Sequence, residues 1–253
     1  MGTAIAAGLV RSGWARPGEI ACVDPSPASR ELLAERHGAL EALAEPVPAD
    51  AVVVAVKPKD VEAACRALPR QAYGRVLSVV AGVPLARLES FFWPGLPVLR
   101  AMPNTPALLG SSATAVAGGS AAGETDLEWA ESVLSSHGVV VRLSEPLLDV
   151  ATGLSGSGPA YIFLVAEALI EAGVCGGLDR EVAAVLTHQT LLGAARMLAE
   201  TGEPAERLRA AVTSPGGTTA AGLRALEERA VRAAFLAAVE AASTRAREIG
   251  AEH

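Results

Sequence analysis

The sequence of 253 residues is poor in several residue types, and each scarcity excludes a class of chemistry. Lysine occurs only at Lys57 and Lys59, and the net charge is -7. No basic stripe exists to meet phosphates, which argues against nucleic acid as a partner. Arginine standing almost everywhere for lysine reflects a genome rich in G and C. Cys22, Cys65 and Cys175 are scattered, form no CxxC, and read as reduced thiols of a cytoplasmic protein rather than a disulfide frame. His37, His137, His188 and His253 have no ligand spacing, so each reads as a surface or capping residue, and no metal is expected. No apolar run reaches the roughly 18 residues that span a bilayer, so no membrane is expected.

What is present divides into two halves. Up to about residue 145 strands alternate with helices. Strands are expected at 19–24, 51–56, 75–82, 96–102, 111–119 and 139–144, and helices at 1–13, 26–38, 59–68, 84–92 and 123–138. The run "AVVVAV" is apolar on both faces, as suits a strand buried in a parallel sheet. Alternation of this kind means a doubly wound sheet. From Pro146 onward the strand signal vanishes, and five helices are expected at 157–173, 179–202, 203–212, 218–230 and 231–250. The second and fifth are apolar over much of their surface, which points to burial or a subunit interface. The expected domains are therefore 1–145 and 146–253.

A doubly wound sheet binds ligands at the carboxyl ends of its strands, and its first strand leads through a glycine-rich turn into the first helix. Here that helix opens the chain, as "MGTAIAAGLVRSG", without a strand or a GxG turn before it. The expectation is a Rossmann-like sheet whose first strand is missing. Asp24, about twenty residues on, fits the acid that meets a ribose hydroxyl in this fingerprint.

Four further segments carry chemistry. "VKP" (56–58) follows a buried strand, where a cofactor lies. "MPNTP" (102–106) stiffens the backbone around an amide and a hydroxyl with two prolines. "SGSGPAY" (155–161) and "SPGGTT" (214–219) put small residues and hydroxyls at helix starts, suited to a carboxylate or phosphate. Each alone is also what a bare turn with a cap looks like.

In this order and at these distances, the set resembles pyrroline-5-carboxylate reductase over nearly the whole chain, with "TSPGGTTAAGLRALE" its most specific stretch. The resemblance implies an N-terminal dinucleotide-binding domain and a helical domain that forms an interlocked homodimer, often built up into a decamer. It implies reduction of pyrroline-5-carboxylate to proline by a nicotinamide cofactor, in an active site between the cofactor domain of one subunit and helices of its partner. It also implies that Met1 and Gly2 end a GxGNMG-like loop that binds cofactor, and that an upstream strand is absent. The resemblance further implies that Ala55, Val56, Lys57 and Pro58 line the cofactor site, with Asn104 near the nicotinamide or ribose. On the same resemblance Ser214, Gly216, Gly217, Thr218 and Thr219 would hold the substrate carboxylate, with Thr219 bonding the ring, so Thr219 and Ser214 are the catalytic candidates. The matching motifs contain no His, Cys or Asp, which agrees with reduction of an already electrophilic imine by positioning.

Departures from the family pattern are Arg229-Ala230, where a Gly-Gly pair is common, and Ala210-Ala211, where polar residues are frequent. Asp24 favours NADH, whereas Ser26, Ser29 and Arg30 could hold a 2′-phosphate. With the family's habit added, NADPH is the expected donor and NADH a possible one. Three rivals remain: a related imine or hydroxyacid dehydrogenase, a silent helical dimer scaffold with a defective cofactor domain, and a nucleotide-binding regulator. The first is weakened because no lysine lies beyond Lys59.

Overall fold

The computed structural model describes residues 1–252, so the expectation for His253 lies outside the described residues. The chain packs into two units, 1–157 with 239–253, and 158–238. This differs from the 1–145 and 146–253 division read from the sequence. The segment 146–157 and the end of the last helix belong with the sheet, because contact, not loss of strand signal, decides membership.

The first unit opens with α1 (Gly2–Arg11). A short parallel sheet pairs β1 (Ala21–Val23) with β2 (Glu41–Leu43), joined by α2 (Pro27–Arg36). β2 was not foreseen: three residues of "GALEALAE" show no alternation, and only pairing with β1 makes them a strand. A second sheet runs in the order β3 (Val52–Val54), β4 (Val76–Ser78), β5 (Val98–Met102), β6 (Ser112–Gly118) and β7 (Gly138–Arg142). All its pairs are parallel except β5 with β6, whose short link cannot make a parallel crossover. α3 (Val61–Ala67), α4 (Leu85–Glu89) and α5 (Glu124–Ser135) are the remaining helices between strands. Pro84 precedes α4 as its cap.

Among the described residues no strand joins β1 to β3, so the doubly wound sheet is divided in two. α1 spans the interval. Ile5 and Leu9 pack with Val53, Ala55, Leu77 and Val79, while Ala6 packs with Cys22 and Ala42. The core lies on both faces of β4 and β5: Val76, Leu77 and Leu99 are fully buried. His137 is also buried, at 2% exposure, instead of lying at the surface. Its Nε2 lies 2.9 Å from the Ala4 carbonyl oxygen and its Nδ1 lies 2.6 Å from Ser136 Oγ. Gly8 is required opposite it, because a Cβ there would fall 1.9 Å from the ring nitrogen.

After α6 (Leu148–Ala151) the backbone makes a π-turn over Thr152–Gly156. The second unit holds α7 (Gly158–Cys175), α8 (Arg180–Glu200), α9 (Ala205–Ala211) and α10 (Thr218–Glu228). α11 (Val231–Glu252) begins in this unit, and its last turns belong to the first. There Ser243 meets Gly153 and Ile249 meets Gly82 too closely for a Cβ on either glycine.

The continuous helical stretch Glu145–Cys175 is long and apolar enough to cross a membrane, contrary to the sequence expectation, and little of it is buried. α7 buries no residue within the protomer and α8 only Ala183 and Thr187. Phe163, Leu164, Val185 and Leu186 are more than half exposed.

Candidate active site

Met1 caps α1, its carbonyl accepting the Ile5 N–H at 3.0 Å, so the N–H groups of the first turn have no helical acceptor. No acidic residue lies in that turn. Gly2 lies against Ala55 so closely that a Cβ would stand 3.0 Å from the alanine methyl. The positive end of α1 thus adjoins the carboxyl end of β3, where anions are stabilised. Val56 and Lys57 follow, both exposed, and Pro58 starts a short 3-10 turn that stops the strand. The structure therefore brings Met1, Gly2, Ala55, Val56, Lys57 and Pro58 to one place.

Asp24 directly follows β1. Its Oδ1 accepts the Ser26 N–H at 2.9 Å, and Ser26 Oγ caps α2 by accepting the Ser29 N–H at 3.4 Å. Arg30 donates through Nη1 to the carbonyls of Asp24 at 2.8 Å and Pro25 at 3.0 Å.

Asn104 is 8% exposed, and its amide meets protein on both sides. Oδ1 accepts from Ser112 Oγ and the Ala113 N–H, each at 3.1 Å, and Nδ2 donates to the Ser155 carbonyl at 3.0 Å. Asn104 therefore fastens the "MPNTP" loop to β6 and to the π-turn. That turn arises because Thr152 and Ser155 return their hydroxyls to carbonyls four residues back, while Ser157 N–H reaches the Thr152 carbonyl. Such turns recur at functional sites.

In the second unit, Ser214 to Gly217 form a type II turn. The Gly217 N–H donates to the Ser214 carbonyl at 3.0 Å, Pro215 takes the second position, and Gly216 has φ +69°. Gly217 then caps α10 in an extended conformation. A side chain on Gly217 would meet Ser214 Oγ at 2.3 Å, so the two glycines are needed for different reasons. The result is an exposed Ser214 beside the N–H groups of Thr218 and Thr219, which lie in the first turn of α10 and have no helical acceptor.

Sequence reasoning missed a charged cluster. Arg100, buried in β5, pairs with Glu145 at 3.3 Å and Asp149 at 3.4 Å, and Glu145 also accepts the Leu85 N–H. The signal was an arginine inside the apolar strand "VLRAM".

Burial pushes the Cys65 thiol up to about 12 and raises that of Cys22, so neither is an activated nucleophile. The other displaced groups are Arg16 and Glu19, Glu131 and Arg142, shifted by mutual hydrogen bonds, and Tyr73, raised by burial. None lies in the four motif segments. Among the described residues no cluster of three His, Cys, Asp or Glu is placed to hold a metal. The four motif segments are built of turns, amides and hydroxyls.

Residues 145–249 match the pyrroline-5-carboxylate reductase dimerisation family, and residues 1–82 match the coenzyme F420-dependent NADP oxidoreductase family. A pyrroline-5-carboxylate reductase of Methanosarcina acetivorans is 38% identical over 255 residues, covering 99% of this chain and 94% of its own. The chain belongs to the pyrroline-5-carboxylate reductase family. The structure of the Coxiella burnetii reductase superposes with TM-score 0.90 at 36% identity, over 97% of this chain and 93% of that one. The Plasmodium falciparum reductase, solved with NADP bound, gives 0.84 at 28% identity, over 99% and 94%. Family membership makes this an NAD(P)H-dependent oxidoreductase with a Rossmann-like domain, a helical dimerisation domain and an oligomeric state.

The residues fit the cofactor's phosphates. α1 offers free amides with no acid in its first turn, and only Gly2 permits the approach to Ala55.

Proposed function

We propose that this chain reduces 1-pyrroline-5-carboxylate to L-proline with NAD(P)H, the last step of proline biosynthesis, in the cytoplasm and without a membrane. The observation that carries this is the type II turn Ser214–Gly217 opening onto α10, a carboxylate receptor in the same chain as the α1–Ala55 cradle. The cofactor supplies the hydride. Met1, Gly2 and Ala55 to Pro58 hold its phosphates and ribose. Asn104 keeps the "MPNTP" loop and the π-turn in register beside it. The N–H groups of Thr218 and Thr219, with Ser214 Oγ, receive the substrate carboxylate, and Thr219 Oγ1 orients the ring. A protonated imine accepts hydride without a strong protein acid, so holding the two reactants in line provides most of the rate.

The exposed apolar faces of α7 and α8 are covered by a second copy of the chain, not by lipid, giving a homodimer that assembles further into a decamer. The division between β1 and β3 is the one observation that favours the silent dimer scaffold.

The test follows pyrroline-5-carboxylate-dependent oxidation of NADH and NADPH together with proline formation. Turnover that falls roughly tenfold in Thr219→Ala at unchanged melting temperature supports the assignment. A dimer that binds neither cofactor establishes the scaffold instead.

A further inference from the structure

Resting on the proposed function, we infer that His137 is a positioning residue for the cofactor. It fixes the first turn of α1 in register with the "MPNTP" loop, so that both ends of the cofactor are met at once.

His137 lies between α5 and β7 and is buried. A carbonyl oxygen only accepts, so the 2.9 Å contact with the Ala4 carbonyl places a hydrogen on Nε2. Ala4 and Gly8 stand one turn apart on the same face of α1. The ring fills the notch that Gly8 leaves and reaches the carbonyl one turn nearer the N-terminus. Among the described residues this is the one hydrogen bond that ties α1 to a distant part of the chain. The apolar contacts of Ile5, Ala6 and Leu9 press α1 onto the two sheets but have no direction. The His137 bond is directional, so it sets where the first turn stands along the helix axis.

His137 is held in turn from its other side. Its carbonyl accepts the Ser112 N–H at 2.7 Å. Gly138 allows this approach: it has φ +144°, and a Cβ there would fall 2.1 Å from the Ser112 carbonyl oxygen. Ser112 Oγ donates to Asn104 Oδ1, and Asn104 Nδ2 donates to the Ser155 carbonyl. One line of hydrogen bonds therefore runs from α1 through His137, Ser112 and Asn104 to the π-turn, and all three residues are buried. Among the described residues no buried side-chain nitrogen or oxygen lacks a partner, and a buried network satisfied throughout is rigid. The line joins the segment that receives the cofactor's phosphates to the loop beside its nicotinamide. A dinucleotide spans both, so a shift of α1 against the loop weakens cofactor binding. Ser214 and Thr219, which serve the substrate, are not on this line.

The test titrates NADH and NADPH onto the full chain, His137→Leu and His137→Gln. Leucine fills a similar volume with no hydrogen to give, whereas the glutamine amide can still donate to Ala4. His137→Leu should weaken both cofactors about tenfold, the order of one lost hydrogen bond. Turnover at saturating cofactor and the substrate KM should stay unchanged, and His137→Gln should recover most of the lost affinity. Affinity that is unchanged in both variants, or that falls in both alike with the melting temperature, gives His137 a merely structural role and overturns the inference. If His137→Leu does not fold, hydrogen exchange on the unaltered chain tests the same line. Bound cofactor should then protect the amides at 112–114 and 137–138, outside its own contacts, together with those of α1; protection confined to α1 overturns the inference. Each of these failures leaves the proposed function standing, whereas an unaltered chain that binds neither cofactor brings both down.

Discussion

The sheet-bearing unit and the helical unit use apolar residues in opposite ways. In the first, Val76, Leu77, Leu88, Leu99 and Val116 are fully buried against their own chain. In the second, α7 buries nothing and α8 buries two residues, although both are long and apolar. One unit builds a core; the other displays half of one. Exposed apolar area of this extent marks an interaction surface. The difference teaches that the second unit takes its final stability from another molecule, whereas the first closes its core within itself.

The largest effect should come from breaking the displayed half. Leu164→Glu together with Val185→Glu places two charges in a surface meant to be covered, at a cost of several kcal/mol. Sedimentation should then show monomers, and the melting temperature should lose its dependence on protein concentration. A variant that stays fully oligomeric would show that α7 and α8 face something other than a second copy.

A core variant tests the other side of the contrast. Leu99→Ala should cost about 2–5 kcal/mol in denaturant unfolding, yet leave the oligomeric state unchanged at temperatures where the protein is folded. Gly8→Ala should act in the same unit by driving a methyl into the His137 ring, at about 1–3 kcal/mol. Dissociation on either change would mean that the two units are not independent in the way their burial suggests.

Smaller effects belong to the second unit's turns. Ser214→Ala should chiefly raise the substrate KM, because the hydroxyl serves ground and transition states alike; a fall in kcat with KM unchanged would give it another role. Ala230 has φ +54°, a left-handed position just past the end of α10 that favours glycine. Ala230→Gly should therefore stabilise by about 0.5–1 kcal/mol, seen as a small rise in melting temperature at constant oligomeric state.

Much of the fold was legible because its signals are local. The presence of a strand within 51–56 and the switch from alternating elements to helices are both short-range patterns, although that strand lies at the sheet edge and buries only Val54. The turn at 214–217 was legible for the same reason, since Pro then Gly at its centre already specifies its type. β2 was not legible, because three residues become a strand only through β1. Nor was the apolar stretch 145–175, which is made continuous by a π-turn through "TGLSG" that reads as a break. His137 was misread because nothing near it in sequence announces that α1 covers it.

By itself, then, the sequence determined the switch from alternating strands and helices to helices alone and the family, because propensity and motif chemistry act over a few residues. Tertiary structure alone decided how Asn104 reaches Ser155 across 51 positions, Arg100 reaches Glu145 across 45 and His137 reaches Ala4 across 133. It also decided which groups after β1 are spent on their own turn. A side chain's role at a site depends on which of its hydrogen bonds are already made, and those partners are set by packing.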